Sequence, residues 1–83
     1  MLYAAVAYAM SGKDAKATQL LQRVVELEPT NAQARWRLAA LLYDLMDYEQ
    51  ALLHFREAVR LDPQDEYSRE MVGTVQSKLA IEN

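Results

Sequence analysis

The sequence predicts an all-α solenoid, an alpha-alpha superhelix of about five helices arranged as antiparallel hairpins. Three observations lead there. First, the stretch DYEQALLHFREAVRLDP from Asp47 to Pro63 repeats the pattern of KDAKATQLLQRVVELEP, Lys13 to Pro29, at a separation of 34 residues. At that shift Ala17 falls on Ala51, Leu21 on Phe55, Val25 on Val59, Leu27 on Leu61 and Pro29 on Pro63. A fixed period of this size marks a repeat architecture, whose units bury their apolar faces only against one another. Second, Leu52, Phe55 and Val59, flanked by Ala51 and Ala58, recur at three- and four-residue spacing, the stripe of an amphipathic helix. Third, two Gly and two Pro leave little material for hairpin turns or long loops.

The elements follow in order. The opening MLYAAVAYAM is apolar but has no basic residue before it and no evident cleavage site after it, and it is far shorter than the roughly 20 residues of a membrane span. It is predicted as a first helix, Leu2–Met10, with Gly12 placed where the chain must stop and reverse. A second helix over Asp14–Leu27 ends before Pro29, which disfavours helix at the preceding residue. Thr30-Asn31-Ala32-Gln33 has the spacing of a capping box and opens a third helix over Asn31–Asp44. Asp47 caps a fourth, Tyr48–Leu61, ended by Pro63, and Asp65–Ile81 completes the set. The small residue at Ala5, Ala39 and Gly73 recurs at the same period. The chain thus reads as one domain: an N-terminally truncated unit over 1–29, a complete one over 30–63, and over 64–83 the first helix of a third, acting as a cap.

Composition narrows the function classes. With 83 residues, one core is only marginally sufficient. The chain has no Cys, which excludes disulfides and thiolate metal sites. A net charge of −3 with interspersed signs argues against a nucleic-acid footprint. The single His54 reads as a solvated side chain on the face opposite the small residues, and Ser11, Ser68 and Ser77 have no nearby His. Asp47 is a helix cap rather than a metal ligand, and neither a calcium loop nor a Gly-rich phosphate cradle is present. No enzyme and no cofactor is therefore expected, and no membrane contact. The lack of a signal or spanning segment favours the cytoplasm, without assigning a compartment.

Leu38, Ala39, Leu42, Ala51, Phe55, Ala58 and Pro63, with Asp47-Tyr48 opening the second helix of the unit, resemble the tetratricopeptide repeat family at its mutual spacings. The small residues let paired helices approach, while Leu38, Leu42 and Phe55 fill the space between units. One departure stands out: Arg35 occupies the family's Trp position, and Trp36 follows one residue later. That shift turns the side chain by about 100° and should take Trp36 off the core seam.

The resemblance implies a protein or peptide partner, bound in the groove lined by the first helix of each unit. Carried across residue by residue, that groove comprises Leu2, Tyr3, Val6 and Met10, then Gln33, Trp36, Arg37, Ala40 and Tyr43, then Tyr67, Glu70, Met71 and Thr74. It is an aromatic and aliphatic trough with one central cation, and aromatics and Arg are frequent binding hot spots. The plainer expectations are packing for Tyr8 and Tyr48, gap-filling for Met71, and a solvated charge for Arg37. The family's two-carboxylate clamp is not expected, because its cations and amides align with Leu2, Val6, Arg37, Tyr67 and Met71.

Two rival functions remain. The first is self-assembly or scaffolding through the apolar first helix, with Met1, Ala4, Ala7 and Tyr8 at an edge lacking a neighbour, covered by a homodimer or by a longer array. The second, RNA recognition as in pentatricopeptide arrays, ranks below it, because that family's period is one residue longer and this chain is acidic.

Overall fold

The computed structural model describes residues 14–82, in which the chain forms four helices: α1 (Asp14–Leu27), α2 (Ala32–Asp44), α3 (Tyr48–Leu61) and α4 (Glu66–Glu82). No strand occurs among the described residues. The expected first helix, Leu2–Met10, and Gly12 lie outside them. Helices pack on their sequence neighbours: α1 on α2, α2 on α3, α3 on α4. Short turns between packed neighbours make each pair an antiparallel hairpin.

The core is the apolar stripe of each helix. Ala17, Leu21, Val24 and Val25 of α1 are buried, as are Ala34, Leu38, Ala39, Leu41 and Leu42 of α2. Tyr48, Ala51, Phe55 and Ala58 come from α3, and Val75 from α4. Ala17, Ala34, Ala39, Ala51 and Ala58 have no exposed surface, so each stands where helices approach closely and a larger side chain has no room. Phe55, also fully buried, fills the wider gap on the same helix. Truncating such a Phe to Ala costs about 3–5 kcal/mol.

Each turn is closed by its own chemistry. After α1, the Asn31 amide donates to the Glu28 carbonyl (3.0 Å), and the Asn31 side chain caps α2 by accepting from the Ala34 amide (3.0 Å). The capping box expected from Thr30 is therefore corrected by one residue: Asn31 is the N-cap. The same geometry recurs one period on, where Asp65 Oδ1 accepts from the Ser68 amide (3.1 Å) and Asp65 Oδ2 from the Ser68 hydroxyl. These bonds let Ser68 sit fully buried. Asp47 caps α3 more loosely, accepting from the Gln50 amide at 3.5 Å.

The α2–α3 turn contains the one positive-φ residue other than Gly among those described, Met46 at φ 65°. Around it, the Asp47 amide donates to the Leu42 carbonyl (2.9 Å) and the Met46 amide to the Tyr43 carbonyl (3.0 Å). This pair of bonds is the Schellman closure, which puts a left-handed residue just past the helix end. Met46 stands one period after Gly12, so a side chain occupies a backbone conformation suited to Gly.

Candidate functional site

Helices α2 and α4 occupy equivalent places in successive units and carry the described part of the expected trough. Gln33, Glu70 and Thr74 are exposed; Trp36, Arg37, Ala40, Tyr43 and Met71 are half-buried; Tyr67 keeps 44% of its surface accessible. Leu2, Tyr3, Val6 and Met10 lie outside the described residues, as do the edge residues Met1, Ala4, Ala7 and Tyr8.

Aromatic contacts tie the trough to the core. The edge of one ring meets the face of the other where Trp36 of α2 touches Tyr67 of α4, with centroids 5.4 Å apart and planes at 71°. Tyr67 also meets the buried Phe55 of α3 at 5.9 Å and 72°. Such edge-to-face pairs contribute about 0.5–1.5 kcal/mol beyond the area they bury. Trp36 thus does not leave the seam, contrary to the sequence expectation. It packs against the core because α4 places Tyr67 on the side to which the one-residue shift turns it. Tyr43 meets Tyr48 at 5.4 Å with the ring planes tilted at 53°, linking the C-terminal end of α2 to the start of α3.

Arg37 corrects a second expectation. Its guanidinium carbon lies 4.8 Å from the centre of the Trp36 ring, a cation–π arrangement, and the residue is half-buried rather than freely solvated. Its Nε is buried without a hydrogen-bond partner, so the stacked ring compensates a group that water does not reach.

His54 is the third correction. It is half-buried, and Arg35 Nη1 donates to its Nδ1 across the α2–α3 interface at 3.2 Å. Burial pushes its pKa below the ordinary value, the Arg35 cation adds to that, and Glu57 opposes both. The ring is therefore neutral at pH 7, with its proton on Nε2. Arg35, at the family's Trp position, bridges two helices through this bond. Sequence reasoning passed over it because a cation on one helix and a His 19 residues away carry no local signal.

Around Tyr67 the electrostatics have one sign. Its hydroxyl pKa is pushed up by burial, then by Asp44, Asp65 and Tyr43, all in the same direction. Asp44, exposed at the end of α2, was not foreseen as part of the surface; it becomes so because Tyr67 arrives from α4.

Comparison with known proteins agrees with this architecture. The family model described as tetratricopeptide repeat matches residues 2–72. The chain belongs to the tetratricopeptide repeat family. A solved structure described as the first TPR of Spaghetti (RPAP3) bound to the HSP90 peptide SRMEEVD superposes with a TM-score of 0.87 at 24% identity. The match covers 92% of this chain and 60% of that one, so the chain spans somewhat under two thirds of that relative. At that identity the likeness establishes the fold.

Proposed function

We propose that this protein is a non-catalytic interaction module whose trough between α2 and α4 binds an extended or helical protein segment. The observation that carries the reading is the Tyr67–Trp36–Arg37 stack: a partly exposed ring, a half-buried indole and a guanidinium joined across two helices. Tyr, Trp and Arg held rigidly on helices lose little conformational entropy on binding and provide large contact areas. The peptide-bound state of the structural relative supports a protein segment as the class of ligand.

Trp36 is the only Trp in the chain, so its emission reports on the trough directly. Peptides found on an array should shift that emission saturably on titration, and Trp36→Ala should lower their affinity by at least about tenfold, equivalent to 1.4 kcal/mol. Array binders that leave the emission unchanged and bind Trp36→Ala as tightly as wild type would place recognition elsewhere.

A further inference from the structure

The α3–α4 pair stands one period after the α1–α2 pair, yet it is not covered in the same way. Arg35, Ala39 and Leu42 share one stripe of α2, and the bond from Arg35 to His54 turns that stripe toward α3. There Ala39 has no exposed surface and Leu42 is buried. The equivalent stripe of α4 is Arg69, Gly73 and Gln76, and all three are exposed. A methyl group at Gly73 would meet no heavy atom within 4 Å outside the backbone of its own helix. The Arg69 guanidinium has no hydrogen bond or ion pair among the described residues, whereas that of Arg35 has His54. On α3, Leu52 and Val59 are only half-buried, although their counterparts on α1, Thr18 and Val25, are buried. At 100° per residue this stripe lies on the opposite side of α4 from Tyr67 and Met71, so it is no part of the trough.

We infer that the outer stripe of α4 is a second docking surface, and that its occupant is an amphipathic helix of a partner protein shaped like α3. The argument is continuity with the α2–α3 interface. The same positions recur one period on, with the place of the fully buried Ala39 taken by Gly73, which lets a helix approach at least as closely. The chemistry of the occupant follows from what α3 presents to α2: a small residue, Ala51, and three residues later a hydrogen-bond acceptor, His54. A carboxylate at that second place would bond the Arg69 cation more strongly than an imidazole does. Gln76 stands where α2 has Leu42, so α4 keeps a polar outer face and is stable in water without its occupant. Docking is therefore reversible.

The test is a display library of helices copied from Asp47–Pro63, with the positions of Ala51, His54 and Ala58 randomised, selected on the whole chain. Binders should be enriched in Gly, Ala or Ser at the positions of Ala51 and Ala58, and in Asp, Glu, Asn, Gln or His at that of His54. Gly73→Leu fills the surface and, with open space around it, should leave Tm unchanged or higher. It should weaken the selected helices by at least about tenfold through overpacking. Arg69→Gln, at an exposed side chain without a partner, should weaken them by roughly tenfold as a second readout. Peptides that shift Trp36 emission should be indifferent to both changes, which separates this surface from the trough. A library yielding no binder, binders without small residues at the two crossing positions, or binders held equally well by Gly73→Leu would each overturn the inference. Self-association of the wild-type chain that Gly73→Leu abolishes would assign the surface to a second copy and overturn it too.

Discussion

Met46→Gly should stabilise the protein, although it deletes a side chain. An L-residue in the left-handed conformation carries about 1–2 kcal/mol of steric strain that Gly does not, and Met46 holds φ 65°. The opposing terms are small. Met46 is 74% exposed, so little apolar contact is lost. The freer unfolded chain of the Gly variant costs about 0.4–1 kcal/mol. The net is a gain of about 0.5–1 kcal/mol, which raises Tm by roughly 2–8 °C in a domain of this size. The two Schellman bonds, from the Asp47 and Met46 amides, are made by backbone and remain. Urea unfolding should show a higher midpoint with an unchanged slope, the signature of a stability change alone. A series at this position should rank Gly above Asn, Asn above Met and Met above Val, since Asn tolerates positive φ and a β-branched residue does not. A flat series, or a Gly variant weaker than wild type, would falsify the view that the turn is strained at this residue.

Two further predictions use the same measurements. Ala51→Leu, at a position with no exposed surface, should destabilise by about 1–3 kcal/mol through overpacking; a neutral result would mean that α3 has slack where it crosses its neighbours. His54 binds protons less readily folded than unfolded, so the unfolded state holds more protons as pH drops below its ordinary value. Stability should therefore be full above about pH 6.5 and fall as pH descends through the depressed folded value, with Arg35 on α2 and Glu57 on α3 as the charged groups acting on the ring. His54→Asn keeps an acceptor near the Nδ1 position but cannot titrate, so its Tm should vary less between pH 8 and pH 5.5; equal slopes would remove the effect.

The fold was legible because its determinants are local and periodic. Pro29 and Pro63 mark two helix ends, the Ala17 and Ala51 pair fixes the register, and the stripe around Phe55 names the core face; α1 and α3 have the predicted limits. The third and fifth expected helices start one residue later than predicted, because Asn31 and Asp65 serve as caps. That shift was visible in principle, since Asn31 and Asp65 are themselves one period apart. Side-chain partnerships between helices were not legible. The Arg35–His54 bond and the Trp36–Tyr67 contact join residues 19 and 31 apart, and each depends on crossing angles that no local pattern records. Met46 escaped for a different reason. Its strain arises from the backbone path, and the signal for it is the place of Met46 one period after Gly12, not anything about a Met in a polar turn.

The rings that form the surface of the trough also hold its helices together. Tyr67 touches both Trp36 and the fully buried Phe55, so deleting it removes an inter-helix contact as well as a contact for any ligand. Trp36→Ala likewise leaves Arg37 without the ring beneath its guanidinium and exposes a cavity edge against α4. Lost binding in either truncation therefore mixes recognition with stability, and the two separate only where the substituted atom lies outside the packing. Asp44, exposed at the end of α2, meets that condition, and Tyr67→Phe removes only a partly buried hydroxyl while leaving both ring contacts in place. If recognition depends on polar groups bordering the rings, these two substitutions change affinity at nearly constant Tm. If it depends on the rings alone, they change neither, and only the truncations, with their lowered Tm, reduce binding.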